Sequence, residues 1–316
     1  MIERPTYEGR PFTDPDDLVV DQGLQFDLGT LLKRRGLLQL FGVGVGTITL
    51  SACAAAAPTT TDAATSSPSA APSTTASASI GDLTEIPEET AGPYPGDGSN
   101  GADVLEQSGV VRSDIRSSFG TSTTTAEGIP MTLELTILDL ANGGAPFAGT
   151  AVYVWHCTRD GGYSMYTDGL TQENYLRGVQ IADADGKVRF TSIFPGCYSG
   201  RWPHIHFEVY PDEASITDAN NKIATSQVAL PQAICQDVYA TDGYANSTDN
   251  LAGITLASDN VFGDDEGAHQ LGAVTGDLAG GLTVTLSVPV DTSTEPGQGE
   301  SMGGNGPGQG PQPPKR

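Results

Sequence analysis

The sequence predicts an all-β fold, a sandwich or barrel with long loops and little helix. Three observations carry that expectation. Short runs alternate apolar with polar residues, turn-forming residues punctuate them, and no segment keeps the helical period over a core-length stretch. Composition agrees. The 316 residues include 40 glycines and 21 prolines, too many for a helical bundle, and no strict glycine period suggests collagen. No internal repeat is visible.

The strands follow in order. Met131–Asp139 alternates as a half-buried strand, and Asn142-Gly143-Gly144 then turns the chain. Ala151–Trp155 is the second strand. Asp183-Ala184-Asp185-Gly186 is a turn between Val179–Ile181 and Val188–Phe190. Arg201–Tyr210 sets Ile205, Phe207 and Val209 against His204, His206 and Glu208. Val274–Val290 holds two more strands, parted at Gly280-Gly281.

Both ends differ from this folded region, 85–294. Lys33-Arg34-Arg35 precedes an apolar run, Leu37–Leu50, that is too short to span a bilayer. It closes in Leu50-Ser51-Ala52-Cys53. A basic start, an apolar core and a small-residue stop form an export signal over residues 1–53. The stop resembles a bacterial lipoprotein box with Cys53 as the lipidated residue, and the arginine pair resembles a twin-arginine signal. An exported, lipid-anchored surface protein is therefore expected. Residues 54–84 are dominated by Ala, Ser, Thr and Pro and read as a disordered stalk; Gly- and Pro-rich 295–316 reads as a disordered tail.

Charge narrows the partners. Lys plus Arg number 15 against 39 Asp plus Glu, a formal net charge of −24. Such a chain is repelled by nucleic acid and by anionic lipid headgroups. No nucleic-acid partner is expected, and contact with a membrane only through the lipid on Cys53.

The chemistry concentrates in His204-Ile205-His206. Strand side chains repeat every second residue, so both imidazoles face one side, a way to present two nitrogens to one metal. Tyr198 stands behind Pro195-Gly196, and Tyr163 follows Asp160-Gly161-Gly162. A tyrosine hydroxyl ionises near about pH 10, so only a strongly Lewis-acidic ion makes it a good ligand at neutrality. Fe(III) fits, because two phenolates and one hydroxide balance its charge and neutral imidazoles complete the set. Tyr166 is the rival register for Tyr163. Among the other histidines, His156 reads as a hydrogen-bonded structural residue and His269 as exposed. Asp264-Asp265-Glu266 reads as a solvated loop, since the spacing of a calcium loop is missing.

The pattern resembles the intradiol ring-cleavage dioxygenases, the family of catechol 1,2- and protocatechuate 3,4-dioxygenases, from about Glu89 to Val290. It is most similar to exported actinobacterial members. Glu89-Thr-Ala-Gly-Pro-Tyr-Pro95, Val111-Arg-Ser-Asp-Ile-Arg116 and Trp202-Pro-His-Ile-His-Phe207 carry the resemblance. It implies a β-sandwich catalytic domain holding Fe(III) through Tyr163, Tyr198, His204 and His206. It implies cleavage of a catechol-type aromatic by O2 to a cis,cis-muconate-type product. Arg201 would stabilise developing negative charge, and Tyr198 would be the ligand that takes a substrate proton. Pro93-Tyr94-Pro95, Asp114 and Arg116 are candidates for lining the entrance. The family's helical dimerisation segment has no counterpart in the low-complexity stalk, so a monomer is expected. The rival classes are an exported β-sandwich binding module and a His-ligated zinc or copper protein.

Cys157, Cys197 and Cys235 remain once Cys53 is assigned to the lipid. Outside the cytoplasm they permit one disulfide in any of three pairings. Cys197–Cys235 is the expected one, because it would fix the turn carrying Tyr198; Cys157 is expected to be buried as a small apolar residue.

Overall fold

The computed structural model describes residues 83–294, together with a two-residue ladder of β1 (Thr6–Tyr7) on β2 (Arg10–Pro11). The chain divides into two units, Met1–Thr75 and Ala76–Arg316. The expected export signal, lipid box and tail, and all of the stalk but its last two residues, lie outside 83–294. No helix among the described residues is long and apolar enough to cross a membrane.

Two sheets form the second unit. Its strands are β3 (Pro130–Asp139), β4 (Ala145–Pro146), β5 (Ala151–Trp155), β6 (Arg177–Ile181), β7 (Lys187–Ile193), β8 (His204–Tyr210), β9 (Ala224–Ala229), β10 (Ala273–Asp277) and β11 (Gly281–Val290). The first sheet runs β10–β11–β3, with β7 and β4 sharing the far edge of β3. Within it only β11 and β3 are parallel. The second sheet, β6–β5–β8–β9, is antiparallel throughout.

The core lies between the sheets and follows the alternation read from the sequence. Met131, Leu133, Leu135 and Ile137 of β3 are buried while the residues between them are half-exposed. They belong to one apolar cluster with Val152 and Val154 of β5 and with Ile205, Phe207 and Val209 of β8. The second sheet differs in being buried on both faces. Ala151, Tyr153 and Trp155 of β5 join a separate cluster with Tyr163, Val179 and Tyr210. That second interior is roofed by loops, and it contains the histidines.

Three elements go beyond or depart from expectation. The turn Asp183–Gly186 forms between its two strands as expected, and those strands lie in different sheets, β6 in the second and β7 in the first. It is a corner that carries the chain across the sandwich, held by Asp183 Oδ1 accepting the amides of Asp185 and Lys187, both at 2.9 Å. Strand β8 begins at His204 rather than Arg201, since Pro203 has no N–H for a ladder. Finally, β9 and two short helices, α1 (Gln232–Tyr239) and α2 (Ser247–Ala252), appear where the sequence offered no clear period. Helix α1 buries Cys235, Val238 and Tyr239, one face of a helix starting after Pro231.

The corner generates a test. Gly186 has φ +74°, and a Cβ there would run into the backbone carbonyl of Ile137. Gly186→Ala is expected to lower unfolding stability by about 1–3 kcal/mol. The check is a lower denaturant midpoint with an unchanged m value.

Candidate functional site

His204 and His206 lie on the face of β8 turned away from the inter-sheet core, both nearly inaccessible at 2% and 3% exposure. Their Nε2 atoms stand 3.1 Å apart. Each ring is oriented differently. His204 Nδ1 donates to the Trp202 carbonyl at 2.5 Å, which makes Nε2 the unprotonated ring nitrogen, an acceptor. His206 Nδ1 has no hydrogen-bond partner. Its ring is held by stacking on Trp155, its β5 register partner, at 4.8 Å and 6°.

Two turns bring tyrosines to the same point. Tyr198 donates its Oη hydrogen to His204 Nε2 at 3.1 Å. Tyr163 is buried, its hydroxyl has no hydrogen-bond partner, and its ring packs edge-on to Tyr198 at 5.9 Å and to His206 at 6.3 Å. Tight backbone fixes these turns. Gly161 has φ +87°, and a Cβ there would press on the Tyr198 Cβ at 3.1 Å. Thr158 Oγ1 accepts from the Gly162 amide, and Thr167 Oγ1 from the Tyr163 amide. On the other side α2 holds the Tyr198 turn: Ser247 Oγ accepts the Cys197 amide at 2.9 Å, and Asn250 Nδ2 donates to the Cys197 carbonyl at 2.8 Å.

Burial sets the protonation states. Desolvation, helped by the Arg201 charge, pushes His204 down to about 3, and desolvation and the neighbouring His204 push His206 well below its ordinary value. Both imidazoles are neutral at pH 7, as metal ligands must be. Desolvation also raises the phenols: Tyr198 to about 12, with Arg201 opposing, and Tyr163 further, with Tyr198 adding to the rise. Only a strong adjacent cation would ionise them. Among the described residues no three His, Cys, Asp or Glu side chains gather as a metal site, so the tyrosines must complete any donor set built here. An unpartnered buried hydroxyl beside two neutral imidazoles, with no carboxylate, suits a hard, highly charged ion such as Fe(III).

Arg201 is at the edge of this cluster, 5% exposed. Its Nε donates to Asp259 Oδ2 at 3.0 Å and its Nη2 to Gln227 Oε1 at 2.7 Å. Asp259 also accepts the amides of Trp202, Val261 and Phe262. Gln227 Nε2 donates to the Thr90 carbonyl, tying the segment before Gly92 to β9. Sequence reasoning missed both partners. Gln227 sits opposite His206 in the ladder, so a strand assignment for β9 would have found it. Asp259 comes from a distant loop and left no signal.

The remaining expectations divide. His156 is structural, bonded to the Cys157 carbonyl and to Ser192 Oγ. His269 is exposed. Tyr94 reaches the cluster, its ring 5.1 Å from that of Tyr163. Asp114 and Arg116 do not line an entrance. They form an exposed ion pair with each other beside β7, in the sheet that lacks the histidines. Tyr166 is no rival ligand: its hydroxyl accepts the Gly96 amide and donates to Asn100 Oδ1, each at 2.8 Å.

The expected Cys197–Cys235 disulfide is not formed. All three thiols are free and buried. Cys197 Sγ points to the Arg201 carbonyl at 3.5 Å and Cys157 Sγ to the Gly196 carbonyl at 3.4 Å, so both sulfurs already pack against the Tyr198 turn. The turn is held by α2 instead of a cross-link.

Residues 114–205 match the family model described as Dioxygenase, a span that includes Tyr163, Tyr198, Arg201 and His204. Over 88 residues the chain is 32% identical to chlorocatechol 1,2-dioxygenase of Rhodococcus opacus, covering 22% of this chain and 34% of that one. Over 72 residues it is 39% identical to catechol 1,2-dioxygenase of Pseudomonas sp. (strain EST1001), covering 23% of each. The chain thus spans about a third or less of the length of these curated relatives. Among solved structures, an intradiol ring-cleavage dioxygenase of Tetranychus urticae has the same fold, with TM-score 0.52 at 23% identity over 66% of this chain and 95% of that one. Fold and site define a two-sheet β-sandwich with a buried tyrosine–histidine cluster under the loops of one sheet. Taken with the matched segment, they make the chain similar to the intradiol ring-cleavage dioxygenases over that part of its length.

Free buried thiols are directly testable. In native protein Cys157, Cys197 and Cys235 are expected to resist a thiol reagent. All three should react after unfolding without reductant, as read by peptide mapping.

Proposed function

We propose that the protein is a non-haem Fe(III) dioxygenase that cleaves catechol-type aromatics with O2 between the two hydroxylated carbons, giving cis,cis-muconate-type products. The convergence of two phenols and two neutral imidazoles on one buried point, with no carboxylate, carries this reading. Tyr163, Tyr198, His204 and His206 would hold the ion. When bound, Fe(III) supplies a Lewis acid that takes up the diol oxygens and makes the ring reactive toward O2.

The side chains then have distinct tasks. Tyr163 is enclosed and has no competing hydrogen bond, which suits a permanent ligand. Tyr198 is partly accessible, with its Oη 3.1 Å from His204 Nε2; once ionised against the ion, it would be the phenolate placed to take a proton from an incoming diol. His204 keeps its Nδ1 proton on the Trp202 carbonyl, so its orientation persists when Tyr198 moves. Arg201, fixed by Asp259 and Gln227, is a pre-oriented cation at the rim, where negative charge develops on oxygen. Trp155 and Gly92 flank the His206 ring and exclude water from it.

The reading extends to place and partners. The protein would be exported by the twin-arginine route and anchored through lipid on Cys53, and would act as a monomer. Cys53→Ser should abolish incorporation of labelled palmitate and release the protein from the membrane fraction.

Purified protein is expected to be red-brown from tyrosinate-to-iron charge transfer, to hold one iron per chain and to take up O2 with catechol. A colourless protein, one that holds zinc or copper in place of iron, or one without O2 uptake when iron-loaded, would overturn the reading. Tyr163→Phe should lose most of the iron or the colour, whereas Tyr198→Phe should keep some iron with a changed spectrum and slow turnover. Arg201→Ala should keep its iron and lose on the order of 10²–10³ in rate, the scale of a lost oxyanion donor.

A further inference from the structure

Arg177 is fully buried on β6, yet it touches neither the histidines nor a carboxylate. A buried guanidinium must have its N–H groups satisfied or it destabilises the fold severely. Here they reach two different loops. Nη1 donates to the Pro95 carbonyl at 2.7 Å and to Tyr153 Oη at 3.0 Å. Nη2 donates to the Tyr94 carbonyl at 2.9 Å and to the Ser164 carbonyl at 3.0 Å, and Nε to Ser164 Oγ at 3.0 Å. One rigid fork therefore joins the peptide of Tyr94 to the residue that follows Tyr163.

Tyr166 makes the same connection from above. Its hydroxyl accepts the Gly96 amide, its ring lies 5.2 Å from that of Tyr94, and the Arg177 guanidinium lies over it at 5.4 Å. The backbone is forced where the fork attaches. Met165 has φ 72° and Leu176 φ 57°, two of only three non-glycine left-handed residues among those described. Strained residues persist only where their surroundings over-determine them, and such sites concentrate at ligand clamps. Arg112 braces the fork from behind by donating to the Arg177 carbonyl at 2.7 Å.

We propose that Arg177 and Tyr166 are positioning residues, a clasp that sets the gap between the Tyr94 ring and Tyr163 and so limits which ring substituents a catechol can carry. This rests on the dioxygenase reading and deepens it. The half-buried Tyr94 is the aromatic wall beside Tyr163. A wall on a floating loop would accept any ring, whereas a wall tied to the Tyr163 loop excludes bulk. The clasp is tight at Gly96, whose φ is +67° and where an added Cβ would meet Arg177 Nη1 at 2.9 Å and Met165 Sδ at 3.3 Å.

Three variants test it: Arg177→Lys keeps the charge without the fork, Tyr166→Phe removes the hydroxyl, and Gly96→Ala displaces the guanidinium. Hydrogen–deuterium exchange on metal-free protein should speed up together in peptides covering 94–98 and 163–167. In iron-loaded variants with an unchanged tyrosinate band, the kcat/KM preference for catechol over 4-tert-butylcatechol should fall about tenfold, chiefly through KM. An unchanged preference in iron-replete variants, or faster exchange in only one of the two segments, would overturn the clasp. If Arg177→Lys does not fold, the other two variants decide. If the wild type consumes no O2 with any catechol, the dioxygenase reading fails, and the paired exchange alone decides the clasp.

Discussion

Strand β8 is buried on both faces, and the site depends on that. A period of two sends Ile205, Phe207 and Val209 into the sandwich core, where they anchor the strand against β5 and β9. The alternate residues, His204, His206 and Glu208, then face a second interior. Each buried apolar side chain contributes about 1.5–3 kcal/mol. The register that places the histidines is therefore held by the core on the opposite face, because a slip of one residue would exchange the two sets.

A second interior made of polar groups is costly unless each is partnered. Here the partners are supplied almost throughout. Arg201 has Asp259 and Gln227, Arg177 has carbonyls and hydroxyls of two loops, and Glu208 accepts from Tyr210 and pairs with Lys222, which also pairs with Asp97. Against that background the unpartnered atoms stand out. Four such atoms are buried and unsatisfied among the described residues, Trp155 Nε1, Tyr163 Oη, His206 Nδ1 and Gln270 Oε1, and of these Tyr163 Oη belongs to the tyrosine–histidine cluster itself. An open buried hydroxyl calls for an explanation, and on the proposed reading a bound ion supplies it.

The sequence made most of this legible for one physical reason: strand alternation is local. Met131–Asp139, Ala151–Trp155 and the His204–His206 face all follow from period two. The turn tyrosines were legible because glycine and proline mark turns, although the pattern alone left Tyr166 open and the family resemblance chose Tyr163. What escaped was long-range. Asp259 lies 58 positions from Arg201, and Arg177 lies 83 from the Tyr94 carbonyl it holds. No local period connects such pairs. The corner at Gly186 was read as a turn but not as a change of sheet, because turn chemistry specifies the bend and not the partner strand. The Cys197–Cys235 expectation failed for a related reason: α1 and α2 were not foreseen, and α2 already restrains the turn that the disulfide was to fix.

The charge of the chain gives the donor set its meaning. With 39 acidic residues available, a site for a divalent ion would be expected to recruit carboxylates. The cluster excludes them and relies on phenols whose ionisation burial opposes. On the proposed reading, this makes the site selective. An ion that cannot bring a buried phenol's pKa down to neutrality meets only neutral donors, and two imidazoles alone hold it weakly. An ion with enough charge converts both phenols to phenolates and gains two anionic bonds at once. Selection then comes from the price of ionising tyrosine in a dry pocket, so the burial that stabilises the second interior also favours the trivalent ion.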